Sequence, residues 1–334
     1  MDHISLAHGN GGRLMRELIE TLFARRLGNP LLDIQADAVP LPLGGTAGQI
    51  VFTTDSFTVQ PLEFPGGDIG ALAVHGTVND LAVAGATPRF LSLNVIAEEG
   101  LELAVLERII TSLAAAAAGA GVQIAAGDTK VVRRGEGGGL YLATTGVGVR
   151  EPGCALGLDH IRDGDALLVS GPVGDHGIAV MLAREQFGLR GDVRSDATSV
   201  LPLTRALLAL PGLRFMRDPT RGGLATVLNE IRRATGLGVR IQAPAVPVRE
   251  PVQGVCDMLG YDPLYLACEG RVVAVVDEAH AETALQAWRA LEAGAGAALI
   301  GRVGADEQHV LLETELGGER VLDELEDDPL PRIC

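Results

Sequence analysis

Five aspartates stand where the chain's pattern places a strand or helix against a turn: Asp37, Asp55, Asp80, Asp128 and Asp218. Four of them sit in the strings Thr53-Thr54-Asp55-Ser56, Asn79-Asp80-Leu81, Gly127-Asp128-Thr129-Lys130 and Asp218-Pro219-Thr220-Arg221-Gly222-Gly223. Carboxylates are the hard oxygen ligands that Mg2+ takes, and Mg2+ usually bridges to nucleotide phosphates instead of filling a closed protein cage. The neighbouring hydroxyls, amide, guanidinium and glycine N–H groups suit phosphate oxygens, which makes Thr54, Asn79, Thr129, Thr220, Arg221 and Gly222 candidate phosphate contacts. The competing explanation for each acid alone is local, because Asp favours N-caps and turns through bonds to nearby backbone N–H groups. The sequence contains no Walker-type phosphate loop, and Gly171-Pro172-Val173-Gly174 reads as a plain tight turn.

The four cysteines, Cys154, Cys256, Cys268 and Cys334, are widely spaced and form no C-x-x-C pair, so neither a zinc site nor a disulfide framework is expected. The first three read as small core residues. Cys334 instead ends a segment crowded by Glu313, Glu315, Glu319, Asp323, Glu324, Glu326, Asp327 and Asp328. Pro329 and Pro331 forbid a regular ending there, and the composition predicts a mobile tail over 313–334. A net charge of −16 without any Lys/Arg-rich block argues against a nucleic-acid partner. An anion binder of this composition must recruit metal or backbone N–H groups. The start MDHISLAHGNGGRLM lacks a basic-then-apolar leader pattern and no uncharged apolar run reaches bilayer-spanning length, so a cytoplasmic protein without a membrane partner is expected.

These residues need elements to position them. A chain of 334 residues, 47% hydrophobic but only 3% aromatic, is expected to form two domains with interiors of Ala, Val, Leu and Ile. Apolar spacing predicts a helix over 13–26, a strand over 49–54 ending at Asp55, a helix over 68–84 and a strand over 90–97. A helix over 101–119 leads to a strand over 122–128 that delivers Asp128, and another strand covers 140–149. Glu151-Pro152-Gly153 marks a boundary. Beyond it, strands are expected over 165–170, 238–241, 271–276 and 298–303, and helices over 178–186, 203–209, 224–234, 252–259 and 279–291, with 217–223 as a loop. His75 and His176 lie among apolar neighbours and are given no chemical role, packing or a satisfied hydrogen bond being the competing reading.

The ordered strings HGNGGRLM, FTTDSFTVQPLEFPGGDIGALAVHGTVNDLAVAGA, GDTKVV, DHGIAVM, RDPTRGGLATVLNEI, YDPLYLACEG and the terminal PRIC closely resemble the HypE family of hydrogenase maturation proteins, from His8 to the last residue. The resemblance implies an α+β, PurM-like architecture, shared with aminoimidazole ribonucleotide synthetase, selenophosphate synthetase and thiamine-monophosphate kinase. Its parts would be a glycine-rich segment and helix (1–36), a half-barrel sheet domain that dimerises (37–151), a layered α/β domain (152–312) and the acidic tail (313–334). ATP would lie in clefts near the dimer interface. Carried onto this sequence, Asp37, Asp55, Asp80 and Asp218 match metal or phosphate acids, with Asp128 close by. Gly9, Gly11 and Gly12 would form a flexible cover over the nucleotide, with His8 and Asn10 as polar contacts, against the alternative of a disordered amino terminus.

The resemblance further implies that Cys334 is itself the substrate. A HypF-type carbamoyltransferase would load it, ATP with Mg2+ would drive dehydration of the S-carboxamide to S-cyanocysteine, a thiocyanate, and the cyano group would pass to iron held by a HypC–HypD complex. The cyanide ligands of nickel-iron hydrogenase would be the destination. An amide oxygen is a poor leaving group, so it must be phosphorylated, and a base must take a proton from nitrogen as phosphate departs. Glu269 is the candidate base, with a turn or ion-pair acid as the alternative. Lys130 is the candidate partner for the developing phosphate or the amide oxygen, with a surface amine as the alternative. Two rivals remain at this stage: another PurM-like synthetase acting on a small molecule, disfavoured because no cysteine precedes Cys154, and a non-catalytic carrier that presents the terminal thiol.

Overall fold

The computed structural model describes residue 8 and residues 12–27, 29–42, 48–184, 192–326, 330, 333 and 334. The expected first helix is α1 (Arg13–Leu18), which runs through a π-helical stretch, Ile19–Ala24, into α2 (Arg25–Leu27). The first domain then comprises β1 (Val39–Leu41), β2 (Gln49–Phe57), a small hairpin of β3 (Glu63–Phe64) and β4 (Gly67–Asp68), α3 (Ile69–Val83), β5 (Ala86–Glu98), α4 (Leu103–Ala120), β6 (Gln123–Val132) and β7 (Leu140–Arg150).

Asp68 starts α3 by accepting from the Gly70 and Ala71 N–H groups at 2.7 and 3.0 Å, satisfying two donors that no helix can satisfy itself. That helix is buried on nearly every side, between β2, β5 and β7, α4 and the second domain, which is why its sequence is apolar all round instead of striped. Gly70 and Gly76 make this possible: a Cβ at the first would stand 2.3 Å from the Ile109 carbonyl, and at the second 2.8 Å from the Phe57 ring. The five-stranded sheet has the order β1-β2-β7-β5-β6, antiparallel except for the β5–β6 pair that α4 connects. One face carries α3 and α4. Phe90 and Ile96 are exposed, and β6 stands open along almost its whole length at the sheet edge. The helix α4 has the length and mean hydropathy of a membrane span but carries Glu107 and Arg108, and packs Ile109, Leu113 and Ala117 into the core.

The second domain comprises β8 (Ala166–Val169), α5 (Asp175–Arg184), α6 (Leu201–Leu208), β9 (Leu213–Arg217), α7 (Gly223–Thr235), β10 (Gly238–Gln242), α8 (Glu250–Leu259), β11 (Val273–Val276), α9 (Ala281–Arg289), β12 (Ala298–Gly304), β13 (Val310–Glu313) and β14 (Glu319–Val321). Its seven-stranded sheet has the order β14-β13-β10-β12-β8-β11-β9. Strands β8 and β11 are uninterrupted apolar runs because helices bury both of their faces. The core on the α5–α6–α9 side merges with that of α3 and α4, so the two domains share one interior.

Three features depart from expectation. The stretch before the Arg217 loop forms the strand β9, and the sheet continues through β13 and β14 to Val321, past the boundary expected at residue 312. The described tail residues are also docked: Leu322, Leu325, Leu330 and Ile333 are all buried. The count of acids concealed these four apolar residues, whose burial drives the tail onto the protein. Glu324 is held by Arg16 at 2.5 Å and by Arg233 at 2.8 Å, and Leu325 accepts from the Arg13 N–H at 3.0 Å, so the first helix clasps the tail.

Candidate active site

Strand β2 alternates its side chains, sending Thr53 and Asp55 to the α3 side and Thr54 to the opposite face. Thr53 Oγ1 lies 2.8 Å from Asp80 Oδ2 of α3 and 2.7 Å from the Asp37 carbonyl. Asp218, reached just past the end of β9, completes the group: carboxylate oxygens of Asp37, Asp80 and Asp218 lie within 4.8 Å of one another. Four separate pieces of chain thus converge at the seam between the two domains.

Crowding acids in a buried place has an electrostatic cost. Burial, reinforced by the neighbouring carboxylates and opposed by Arg217, raises the Asp37 pKa to about 8 and that of Asp218 to about 6. Burial and the other three aspartates push Asp80 well above the carboxylate range, and burial raises Asp55 against the pull of Arg221. Such a set holds protons unless a cation joins it, the behaviour expected of a cation site built from hard oxygen donors. The residue that sequence reasoning missed is Arg217. Its Nε stands 2.6 Å from Asp37 Oδ2, its Nη1 2.9 Å from Glu230, and its Nη2 donates to the Gln35 carbonyl at 2.7 Å, so it pins the segment that carries Asp37. The string RDPTRGG contained it, but its partners are remote in sequence.

Past Asp218 the loop enters α7 with Gly222 and Gly223 at φ +76° and +59°. A Cβ at Gly223 would meet the Leu266 and Leu264 carbonyls at 2.6 and 2.7 Å, so both conformation and space require glycine there. Thr220 and Arg221 line a cavity of about 230 Å³ together with Arg16 and Ile19. Thr226 faces the same cavity, and its hydroxyl is buried without a hydrogen-bond partner among the described residues. Negative charge at Cys334 foremost, then at Asp55, Glu269 and Asp80, raises the Arg221 pKa against its burial, so the guanidinium feels both the acids and the chain end.

Glu269 is 2% exposed, and its Oε1 has no hydrogen-bond partner among the described residues. Its pKa is raised well above the carboxylate range, first by burial, then by Asp218, Asp196 and Asp55, with Arg221 opposing. Its backbone is rigidly held: Asp196 accepts the Glu269 and Gly270 N–H groups at 3.1 and 3.3 Å. Nearby, a main-chain carboxylate oxygen of Cys334 accepts from the Thr58 N–H at 2.8 Å, which seats the chain end beside the last residues of β2.

Residues 35–150 match the family described as AIR synthase related protein, N-terminal domain, and residues 162–312 match AIR synthase related protein, C-terminal domain. The Azotobacter vinelandii protein named carbamoyl dehydratase HypE is 50% identical over 99% of this chain and 97% of its own length. This chain belongs to the HypE family. Its PurM-like, α+β fold agrees with solved HypE structures: one in a HypE–HypF complex has 43% identity and a TM-score of 0.87, covering 92% of this chain and 99% of that one. Another, HypE in complex with ATP, has 45% identity and a TM-score of 0.82, covering 99% of this chain and 100% of that one.

Within this HypE-family chain, the structure unites Asp37, Asp55, Asp80, Asp218, Thr220, Arg221, Gly222, Glu269 and Cys334 around one seam. Other expectations need correction. Asn79 is no phosphate contact: both N–H groups of its amide go to the Thr198 and Glu269 carbonyls, at 3.0 and 3.2 Å, and its Oδ1 accepts from the Val200 N–H at 2.9 Å. It ties α3 to the Glu269 loop instead. Asn79→Ala is expected to cost about 2–4 kcal/mol in urea unfolding, since it strands two buried backbone partners, at Glu269 and Val200, and loses the bond to Thr198. Thr54 bonds the Thr144 carbonyl and the Thr145 hydroxyl on the face away from the acids. Asp128, Thr129 and Lys130 do not reach the cluster within one chain, because β6 is the far edge of the sheet from β1, and Lys130 there pairs with Asp128 at 2.9 Å. Gly12 stands at the N-cap of α1, and Gly9, Asn10 and Gly11 lie outside the described residues. His176, read as packing or a satisfied hydrogen bond, makes the hydrogen bond, and with the tail: its Nε2 lies 2.6 Å from the Ile333 carbonyl oxygen.

Proposed function

We propose that this chain is an ATP-dependent carbamoyl dehydratase whose substrate is its own Cys334, carried as the S-carboxamide and converted to S-cyanocysteine. The observation that carries the reading is the seating of the chain end beside Arg221, with buried Glu269 and the aspartate cluster sharing the same field of charge. The loop Thr220-Arg221-Gly222 and the first turn of α7, with Thr226, offer donors to phosphate oxygens at a helix N-terminus. Asp37, Asp80 and Asp218 would hold Mg2+, with Asp55 beside them, and the ion when bound would supply positive charge to the nucleotide's phosphates.

The carboxamide oxygen attacks the γ-phosphorus of ATP and ADP leaves, while one N–H proton is released. The resulting O-phosphorylated imidate then loses its remaining N–H proton as the C–O bond breaks, phosphate departs and the C≡N bond forms. Arg221 stabilises charge on the transferring group. Glu269, in ionised form, takes the proton. A carboxyl whose site raises its pKa is a stronger base once ionised than a solvated one, which suits removal of a proton from weakly acidic nitrogen. The docked tail keeps water from the activated imidate.

Loading requires the tail to leave, so a HypF-type carbamoyltransferase is the proposed donor enzyme and a HypC–HypD complex the proposed acceptor for nickel-iron hydrogenase. Lys130, Asp128 and Thr129 stand on an open sheet edge, where closing the sheet against a second copy would bring them toward that copy's nucleotide. Homodimerisation through β6 is therefore part of the reading.

The test is mass spectrometry of the carbamoylated full-length chain. With MgATP the tail peptide is expected to lose the mass of one water, and Cys334→Ala is expected to accept no carbamoyl group while still binding ATP. A carbamoyl group that persists unchanged through many ATP turnovers would reduce the chain to a carrier.

A further inference from the structure

The reaction needs the terminal thiol in one place, yet the tail must be removable, so something must hold it reversibly near its end. Two elements meet the last two residues. Thr58, just past β2, donates its N–H to a main-chain carboxylate oxygen of Cys334 at 2.8 Å, with its hydroxyl at 3.2 Å from the same oxygen. From the second domain, His176 on the first turn of α5 lies with Nε2 2.6 Å from the Ile333 carbonyl oxygen. A carbonyl can only accept, so Nε2 must carry the hydrogen. The other ring nitrogen, Nδ1, lies 2.8 Å from Ser195 Oγ, and that same oxygen accepts from the Ala197 N–H at 3.0 Å. In a neutral ring with the hydrogen on Nε2, Nδ1 is bare and accepts from the Ser195 hydroxyl, whose oxygen keeps a lone pair for the Ala197 N–H. The ring is fully buried, edge-on to Phe64 at 5.4 Å, and burial lowers its pKa, so it stays uncharged.

We infer that His176 is a positioning residue for the tail: a neutral imidazole, oriented by Ser195, that latches the Ile333 carbonyl and thereby seats the Cys334 carboxamide. The latch reads backbone, one residue before the reacting thiol, and so holds whether Cys334 is free, carbamoylated or cyanated. It deepens the dehydratase reading and rests on it only in making Cys334 the substrate. Ile333, 3% exposed, supplies the apolar half of the grip.

The test uses the full-length chain and follows iodoacetamide alkylation of Cys334 by mass spectrometry of the terminal peptide, alongside single-turnover dehydration of the carbamoylated form. His176→Leu removes the donor and leaves a carbonyl unpaired, so alkylation is expected to speed up about ten-fold and dehydration to slow by a similar factor, with ATP affinity unchanged. His176→Gln, whose amide nitrogen falls near the Nε2 position, is expected to restore both. His176→Asn, whose amide reaches only the Nδ1 position, is expected to behave like His176→Leu. Equal Cys334 alkylation in the Gln and Asn variants would overturn the latch, and that comparison survives even if His176→Leu fails to fold. Because alkylation needs no chemistry on the carbamoyl group, a His176-dependent alkylation rate without any dehydration would sink the dehydratase reading and leave the latch standing.

Discussion

Glu269→Gln is expected to reduce ATP-dependent dehydration of carbamoylated Cys334 by about 10²–10⁴-fold, the usual contribution of a positioned general base. Glutamine keeps the volume and can occupy the same space, so ATP binding and carbamoylation of Cys334 are expected to survive. Stability should not fall. In the parent the buried carboxyl pays for its desolvation against Asp218, Asp196 and Asp55, and the neutral amide is spared that repulsion. The measurement is single-turnover conversion by mass spectrometry beside thermal unfolding of the same samples. An undiminished rate in a well-folded variant would remove Glu269 as the base and turn attention to a group delivered by a second copy.

Asp80→Asn is expected to lower dehydration by at least about 10²-fold, the loss seen when one charge-stabilising group is removed from a preorganised site. Its effect on stability has the opposite sign. Folded Asp37 titrates near 8 and folded Asp218 near 6, both above their ordinary 3.8, and Asp80 is shifted the same way. Between about pH 4 and pH 8 these acids therefore hold more protons in the folded chain than in the unfolded one, so without divalent cation they make stability fall as pH rises. Mg2+ is expected to flatten that decline by replacing the protons. Asp80→Asn is expected to flatten it in part and to exceed the parent in thermal midpoint at pH 8. A parent midpoint that is flat, or rises, with pH across this window in the presence of a chelator would refute the crowded-acid account.

Reading aspartates by their immediate neighbours singled out Asp37, Asp55, Asp80 and Asp218, which the fold gathers at one seam, but it credited some neighbours with contacts they do not make. Thr54 follows Thr53 in sequence yet faces the other side of β2, since strand side chains alternate. Asn79 precedes Asp80, but helical geometry turns it toward the backbone of residues 198–200 and 269. Lys130 carries the charge the chemistry wants and sits on a strand edge that one chain leaves open.

The sequence by itself determined what is local and periodic: the helices, the buried strands of the second domain, the glycines of the Asp218 loop, and, through ordered strings, the family. Those follow from apolar spacing, backbone freedom and composition, which are written residue by residue. Only the tertiary structure decided which side chains meet. Arg217 joins Asp37 to Glu230, Asn79 anchors the Glu269 loop, His176 grips Ile333, and an acidic tail is docked because Leu322, Leu325, Leu330 and Ile333 find buried places on it. Each of these pairings spans parts of the chain far apart in sequence, where spacing carries no signal and only the folded path sets the distance.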